Sequence, residues 1–585
     1  MFFTIRAARL KDAATLGLLI GAWCMPAWSQ TPNLGSASDI SRLRVPVPLP
    51  RLPAFELRVQ TPEKTPTPRS IEDIDFDLKG VRVLGSSRYR EAELAELFAD
   101  VTGRKVKIEE LRKKVSQLED RYRSEGFFLC RVFLPPQQVK DGIFTVQVVE
   151  GFISEVYVDG GVAAERTMIQ RMLAPLLDRK PIDLRSLEEA LLILNDIPSV
   201  RTSGTLRPGA KLGATELVVS VSPPAPTTYV LGLSNTASKT LGPWAVSLNA
   251  SIPRPLGAVG SLSLGLNSGL FPAEKLRVVI AQYAMPVGSS GAVMSFGALS
   301  AAARPKASLS SLGILSESTS IGPRFRIPIF RSVAQSLFFD FGLSVNRSET
   351  FLSAKTDSET ALTSDRTTVG DLGLSYQHSG FLGGTSQVGL TLQRGLNGLG
   401  AYKQSAYGAD LTTYPRPSSE GFDSHFAKRT LSFVRLQGLT GPYSLAAAVQ
   451  VQDSNDPLLA GDKVAFGGPI IGRGYDSGAI TGDRGYGGIV EFRWDRPEPL
   501  PWSWAAEAKL QAFAAYDFAH ATTLARPLAE VAATKATIAS MSLGTRFRTP
   551  GGLSIETMVA RADRPVTSTD PRPNPRFLIG ITQVF

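Results

Sequence analysis

Residues suited to acid–base, nucleophilic or metal chemistry are sparse in this chain of 585 residues. The only histidines, His378, His425 and His520, are scattered and lack the spacing of metal ligands. The sequence contains neither a G-x-S-x-G motif nor a phosphate-binding P-loop. We therefore expect no enzyme activity, no metal site and no cofactor.

One glycine-rich segment, Phe466 to Tyr486, has the sequence FGGPIIGRGYDSGAITGDRGY. Within it Arg473 lies between Gly472 and Gly474 and is followed by Tyr475. Glycines let a backbone pack where a Cβ would collide, and ordered loops of this length usually have a function. An ordinary surface loop would have the same composition, but the pattern favours a loop folded into a confined space. The arginine there offers a rigid fork of donors to a carboxylate.

The first 29 residues have the pattern of a secretory signal sequence. A basic start with Arg6, Arg9 and Lys11 precedes an apolar run, and small residues surround a cleavage site after Ser29. Its removal takes away these three cations and Asp12, so the formal net charge falls from +10 to +8. For an exported chain, that excess suggests a cationic lumen or an anionic membrane surface rather than nucleic acid.

Cleavage of this signal leaves Cys130 as the only cysteine, because the other one, Cys24, lies within the signal. The mature chain then has no internal disulfide, and we expect Cys130 to be a small core residue. Residues 30–73 follow as a proline-rich segment (VPVPLPRLP, then TPEKTPTPRS). This composition excludes a continuous helix and favours an extended spacer.

Residues 74–150 and 151–223 repeat one order of signals, strand, helix, helix, strand, strand, which indicates an internal duplication. Two helices on one face of a small sheet would form each α+β unit. The expected elements of the first unit are strand 76–84, helices 90–99 and 108–123, and strands 127–134 and 142–149. Those of the second are strand 153–158, helices 165–177 and 184–194, and strands 200–206 and 215–221.

From residue 224 to residue 585 the helical periodicity disappears, and segments of about ten alternating residues take its place. For example, Val388, Leu390 and Leu392 alternate with Gln387 and Gln393. Short connections alternate with long ones, and the segment 453–487 becomes the sixth long loop. This pattern predicts a transmembrane antiparallel β-barrel of about sixteen strands, although a soluble β-sandwich would also alternate. No run of the ~18–20 apolar residues that a membrane-spanning helix requires follows the signal.

The order of these parts, with the run FGG…GRGY…GDRGYGGIVEFRW, resembles the outer-membrane transporters of two-partner secretion, the TpsB family of haemolysin secretion/activation type. The resemblance implies two periplasmic POTRA units before the barrel. It also implies a pore in the Gram-negative outer membrane that recognises an unfolded partner protein in the periplasm and exports it to the cell surface. Two alternatives are the related insertase, which usually has more POTRA units, and a plain porin or adhesin, which leaves the duplicated units unexplained.

The same resemblance implies the roles of the loop residues. In the family the loop folds back into the pore, and its arginine, here Arg473, meets an aspartate on the thirteenth strand. The matching run AAYDFAH makes Asp517 that partner; the alternative is that both are separate solvated lumen charges. Gly472 replaces the family's usual aliphatic residue, which predicts a looser loop tip. Ala515 and Ala519 replace an aromatic residue and a glycine of the family motif.

A client-binding site is expected in the periplasmic units. The segment 127–134 followed by two prolines suggests a strand at a sheet edge, to which an extended client would add by backbone hydrogen bonds. Alternatively its apolar residues are simply core. The candidate residues of this site are Phe127, Phe128, Leu129, Arg131 and Phe133.

The resemblance also implies the partners of the chain. These are a secreted β-helical protein, outer-membrane lipid and the barrel-assembly machinery, for which the terminal Phe585 would be the assembly signal. We expect a monomeric pore that binds no nucleic acid.

Overall fold

The computed structural model describes residues 75–139, 141–270, 276–305, 313–352, 360–401, 415–419, 421–501, 507–525, 532–567 and 571–585. It also describes two short strands, β1 (Phe3–Thr4) and β2 (Leu57–Val59). Apart from these two strands, the expected signal sequence and proline-rich segment lie outside the described residues. None of the helices in the described ranges is both long enough and apolar enough to cross a membrane.

Residues 75–149 form a first α/β unit. Its elements are β3 (Asp75–Leu78), β4 (Gly80–Leu84), α1 (Glu91–Phe98), β5 (Arg104–Lys107), α2 (Ile108–Ser124), β6 (Arg131–Phe133) and β7 (Ile143–Val149). The amphipathic spacing in α2 has the expected effect, since Leu111, Val115, Leu118 and Tyr122 are all buried. These side chains form one core with β6 and β7.

Two strand predictions in this unit were wrong in detail. The segment 76–84 is not one strand, because β3 pairs with β5 and β4 pairs with β7 in a different sheet. The segment 127–134 forms a strand only over β6, which lies at one edge of the sheet β4-β7-β6. Phe128 and Leu129 instead pack against the core of the second unit, so the start of this apolar run joins the two units.

The second unit has a similar order of elements, with one strand at its start and no described counterpart of β5 between its helices. It contains β8 (Phe152–Gly160), α3 (Ala163–Leu173), a short 3₁₀ turn (Ala174–Leu176), α4 (Leu184–Asp196), β9 (Thr202–Pro208) and β10 (Ala214–Val221). The sheet has the order β1-β2-β9-β10-β8. Both helices bury leucine and isoleucine side chains against it, which places a second core between the helices and the sheet.

Residues 228–584 form a closed barrel of sixteen antiparallel strands, which confirms the predicted fold class. Its first eight strands are β11 (Thr228–Ser234), β12 (Ala245–Pro253), β13 (Ser261–Gly269), β14 (Leu276–Val287), β15 (Ala292–Ala303), β16 (Ile314–Arg331), β17 (Gln335–Leu352) and β18 (Thr360–Ser379). The next three are β19 (Gly384–Leu396), β20 (Ala427–Gly438) and β21 (Tyr443–Ser454). A small hairpin, β22 (Val464–Phe466) and β23 (Ile480–Gly482), then precedes the last five wall strands. These are β24 (Arg484–Asp495), β25 (Lys509–Thr523), β26 (Thr534–Arg548), β27 (Leu553–Ala562) and β28 (Arg576–Val584).

The second unit contacts the rim of the barrel that carries the short turns, here called the near rim. Arg331, at the turn after β16, donates to Asp196 of α4 with Nε–Oδ2 2.7 Å. The carboxylate of Glu165, fully buried in α3, lies 2.6 Å from Nε of Arg254 on the turn after β12. Two charge pairs, each with one buried partner, therefore connect the second unit to the near rim. The long loops extend from the opposite, far rim.

The barrel closes where its first and last strands meet. β11 and β28 pair over only five residue pairs, from Val230↔Val584 to Ser234↔Gly580. The terminal Phe585 extends this ladder, since its N–H donates to the Tyr229 carbonyl at 2.9 Å. At the other end, the side chain of Asn235 continues the ladder by accepting from the N–H of Ile579 at 2.8 Å. We call this junction the seam.

Cys130 lies in the core of the first unit, as expected, with no exposed surface. Burial raises the pKa of its thiol to about 11, so the reactive thiolate is almost absent at pH 8. We predict that iodoacetamide at pH 8 does not label the folded mature protein and labels it fully after denaturation. The measurement is the mass of the intact chain; rapid labelling before denaturation would contradict the buried position.

Candidate functional site

The long connection between β21 and β24 folds into the barrel instead of extending from the far rim. It is the sixth far-rim loop, and we call it loop 6. Its hairpin pairs Val464 with Gly482 and Phe466 with Ile480, so that residues 467–479 form its tip. The tip packs against wall residues that point inward. Val464, Phe466, Ile471, Tyr475 and Ile480 form a buried apolar cluster with Ala519, Ala521, Ile538 and Ala562 of the wall.

Two glycines allow this close packing. Gly472 has φ +91°, a conformation that side chains with a Cβ rarely adopt, and an added Cβ would lie 2.7 Å from Cδ1 of Ile538. At Gly474 an added Cβ would lie 2.5 Å from the backbone nitrogen of Ala562. The expectation that Gly472 loosens the tip was therefore wrong, because the turn itself requires a glycine there.

Arg473 lies between these glycines, and its guanidinium is buried against the wall. Nη2 donates to Oε2 of Glu491 on β24 at 2.9 Å, and Nη1 donates to Oγ of Ser542 on β26 at 3.2 Å. Nε donates to the carbonyl of Pro469 within the loop at 3.3 Å. The side chains of Arg473 and Glu491 are only 4% and 3% exposed, so the pair is shielded from water.

Glu491 is shared by three arginines. Besides Arg473, its carboxylate accepts from Nε of Arg493 at 2.7 Å and from Nη1 of Arg546 at 2.7 Å. Arg546 also donates to Glu556 at 2.8 Å and stacks over the ring of Phe513 at 4.0 Å. The wall therefore provides a buried socket of alternating charges, which we call the Glu491 socket, into which the loop arginine fits.

Asp517 contacts the loop, but the expected ion pair with Arg473 does not form. One oxygen of Asp517 accepts from the backbone N–H of Gly472 at 2.7 Å and from Oγ of Ser540 at 2.6 Å. The guanidinium extends past Asp517 towards Glu491, because the turn at Gly472 presents the backbone, not the side chain, to β25. Asp517 therefore binds the backbone of the turn, whereas Glu491 forms the ion pair with the Arg473 side chain.

Tyr475 is inserted between the far ends of β26 and β27. Its hydroxyl contacts the carbonyl of Ala539 at 2.9 Å and that of Arg564 at 2.8 Å. The pairing of β26 with β27 ends at Ser540↔Ala562, so the tyrosine lies where the two strands separate. Arg576 of β28 donates to the carbonyl of Tyr475.

The next residue, Asp476, connects loop 6 to both sides of the seam. Its carboxylate accepts from the hydroxyl of Ser238 at 3.1 Å and from the N–H of Lys239 at 3.0 Å, both on the connection after β11. It also lies 3.6 Å from Nη2 of Arg576 on the last strand. The position of the loop and the closure of the barrel are thus physically linked.

The other sequence-predicted residues do not join this site. Arg131 and Phe133 lie on the edge strand β6, where the N–H of Val132 already donates to Glu119 of α2 at 3.3 Å. Phe127 packs on the first core. Phe585 is exposed at the end of the seam. No group of three or more potential metal ligands is found within the part of the chain that the structure describes.

Sequence reasoning missed the Glu491 socket, although a signal for it was present. In the run GIVEFRW, Val490 and Phe492 are exposed on the outer surface, whereas Glu491 and Arg493 occupy the inward positions between them and are buried. The alternation thus places two opposite charges inside the wall next to the loop. What the alternation does not show is which inward carboxylate the loop arginine reaches.

Comparisons with known proteins assign the chain to a class. The family model described as haemolysin secretion/activation protein ShlB/FhaC/HecB matches residues 213–547, and the model described as POTRA domain, ShlB-type, matches residues 76–151. The haemolysin transporter protein HpmB of Proteus mirabilis is 23% identical over 78% of this chain and 80% of its own length. The outer membrane transporter CdiB of Escherichia coli O6:K15:H31 (strain 536) is 22% identical over 72% of this chain and 70% of its own.

The fold agrees with these matches. The solved structure of CdiB from Escherichia coli superposes with a TM-score of 0.68 at 20% identity, covering 90% of this chain and 93% of that one. CdiB from Acinetobacter baumannii gives a TM-score of 0.59 at 15% identity, covering 90% and 94%. The class is therefore that of outer-membrane transporters of two-partner secretion, with the N-terminal units in the periplasm and the far rim at the cell surface.

Within this class, the chain belongs to the haemolysin secretion/activation protein family, whose model matches more than half of it. The resemblance drawn from the sequence is confirmed. The family is one of secretion channels, which favours the transporter over the insertase, porin and adhesin alternatives.

Because three arginines share Glu491, we expect unequal losses of stability when the charged residues of the socket are replaced one at a time. Glu491→Gln leaves buried guanidinium groups without their common carboxylate, and arginine cannot lose its proton to relieve this. We expect the free energy of unfolding to fall by about 3–5 kcal/mol. Arg473→Ala should cost less, about 1.5–3 kcal/mol, because Glu491 keeps two arginines. Urea unfolding of the barrel refolded in phosphatidylcholine vesicles measures both values.

The control for this comparison is Glu556→Gln, which removes an acidic partner of Arg546 that does not touch the loop. It should have the smallest effect, because the Glu556 side chain is 27% exposed. Equal losses for all three variants would contradict the central place of Glu491.

Proposed function

We propose that the barrel exports an unfolded, β-helix-forming exoprotein and that loop 6 controls its passage through the lumen. The observation that supports this proposal is the burial of Arg473 and Tyr475 inside a closed barrel, against residues of the inner wall. A loop in this position occupies space that a polypeptide in transit needs. The loop must therefore move or yield when the client passes.

The contacts of the tip suggest how it moves. Arg473 contributes one of three guanidinium groups to the Glu491 socket, and Asp517 and Ser540 hold the turn only through hydrogen bonds. If the loop leaves, Glu491 retains Arg493 and Arg546. We infer that loop displacement does not leave a buried carboxylate unpaired. The free-energy cost of moving the loop is then small enough for a client that competes for the same space to displace it.

Fixing the tip of loop 6 to the wall tests this movement. Cysteines at Asp476 and Ser238, whose side chains are in contact, would link the tip to the connection after β11 under oxidation or with a short bis-maleimide. We expect secretion of the client to stop when the link forms and to recover after reduction of the disulfide. The measurement is the amount of client in the culture medium.

Each single cysteine variant is the control and should secrete the same amount of client under oxidising and reducing conditions. Cys130 does not interfere, because it is buried in the first unit. Unchanged secretion by the linked protein would contradict a moving loop, whereas loss of secretion in the single variants would indicate damage to the fold.

We further propose that the periplasmic units, both of POTRA type, receive the client at the edge strand β6. The exposed side chain of Phe133 and the chain edge beside it form the accessible part. This edge is short, because beyond β6 the side chain of Gln137 already forms hydrogen bonds with both the N–H and the carbonyl of Thr145 on β7. An arriving segment would pair over few residues and add side-chain contacts.

A photo-crosslinking amino acid in place of Phe133 tests this site. We expect a covalent adduct with the client when both proteins are produced together, detected by immunoblotting. The matched control is Tyr157, an aromatic residue of similar exposure on β8 of the second unit, which should give little adduct. Equal adducts from the two positions would contradict recognition at β6.

We also propose that the pore acts as a monomer in outer-membrane lipid and is inserted by the barrel-assembly machinery. The exposed Phe585 at the seam supports insertion by that machinery, because its side chain remains accessible after its backbone has paired with Tyr229.

A further inference from the structure

Five arginines form an arc on the outer surface of the barrel wall, towards the cell surface. For three of them, the residue two positions closer to the periplasm on the same face of the strand is also exposed. For Arg394 this residue is Leu392. All five occupy outward positions in the alternation and are at least partly exposed. They are Arg347 on β17, Arg366 on β18, Arg394 on β19, Arg429 on β20 and Arg484 on β24.

The arc lies at one level along the membrane normal. Arg429 is nine residues from Gly438 at the periplasmic end of β20, and Arg366 is thirteen residues from Ser379 at that end of β18. The other three fall between these limits. Since a tilted strand needs about 9–11 residues to cross the hydrocarbon core, the arginines lie where the headgroups of the outer leaflet begin.

Within the described ranges, two acidic residues form the ion pairs of this arc. Arg347 and Arg366 are directly opposite in the β17–β18 ladder, an arrangement of like charges that destabilises a sheet. Both share Glu349, at 2.8 Å and 3.7 Å. Asp453 is shared in the same way by Arg429 and Arg484, at 4.0 Å and 3.5 Å. Between these groups, Arg394 makes no ion pair with any residue that the structure describes.

The opposite end of the wall differs. Among the described strand residues of the periplasmic halves, Arg435 is the one outward-pointing cation on the lipid-facing surface. At the cell-surface level, Arg277, Lys535 and Arg561 add three more outward cations on other strands. Simple solubility or anchoring in phospholipid headgroups would favour cations at both ends, so the asymmetry points to a ligand of the outer leaflet alone.

We propose that the arc binds the phosphorylated headgroup of the glycolipid that forms the outer leaflet. Arginine guanidinium groups bind phosphate oxygens through two parallel hydrogen bonds. Neighbouring strands are about 4.8 Å apart, so the arc presents a row of donors that spans a headgroup with two phosphates. The bound phosphates would bring negative charge to Arg394, for which the described residues show no ion pair, and would lessen the repulsion between the opposite side chains of Arg347 and Arg366.

Titration of the purified full chain in dodecyl maltoside with diphosphoryl lipid A tests the proposal. The readouts are the temperature at which the folded barrel unfolds in a heat-modifiability gel and the lipid adducts seen by native mass spectrometry. We expect lipid A to raise the unfolding temperature of the wild type by several degrees. The triple variant Arg366→Gln, Arg394→Gln, Arg429→Gln should lose at least half of this shift and most of the adducts.

The matched control is Arg435→Gln, which removes an outward cation at the periplasmic end and should keep the full shift. Phosphatidylglycerol and inorganic phosphate, added in separate arms, should give clearly smaller shifts than lipid A. An equal shift with phosphatidylglycerol, or an equal shift for wild type and triple variant, would overturn the proposal. If the triple variant does not fold, Arg394→Gln alone should reduce the adducts, and unchanged adducts would overturn the proposal too.

Discussion

The inner wall of this barrel is organised by one carboxylate shared among several guanidinium groups. Glu491 lies inside the wall, where water is largely excluded, and its two oxygens accept from Arg473, Arg493 and Arg546. Arginines crowded in this way repel one another unless an anion lies between them. The depth at which the loop sits and the stacking of Arg546 on Phe513 both follow from where this anion is held.

This arrangement separates the binding of the loop from the integrity of the wall. Two of the three arginines belong to wall strands, so the socket remains neutralised whether or not the loop is seated. Asp517 and Ser540, by contrast, hold the glycine turn by hydrogen bonds to backbone groups, which any extended segment of chain also offers. A client in the lumen would thus find acceptors that do not depend on its sequence, which suits a channel that passes one long polypeptide.

Much of the architecture could be predicted from the sequence, because strand and helix periodicities are local properties. The amphipathic spacing in α2 and the inward–outward alternation of the wall both appear in the structure. Pairings across the barrel were harder. Arg473 was expected to meet Asp517, yet it reaches Glu491, because the positive φ of Gly472 directs the backbone towards β25 and the side chain past it. Likewise, the apolar run from Phe127 to Leu129 had a strand composition but joins two cores.

The short seam has a consequence for how the barrel comes into being. Its two strands are separated by nearly the whole length of the barrel sequence, and they meet over five residue pairs, compared with eighteen between β17 and β18. Pairing two strands that are so distant in sequence costs more chain entropy than forming a hairpin from neighbouring strands, and few hydrogen bonds offset this cost. Among the wall pairings, closure of the seam therefore gains the fewest hydrogen bonds for its cost in chain entropy. A chain without β28 would have an open sheet with two unsatisfied edges, not a slightly smaller pore.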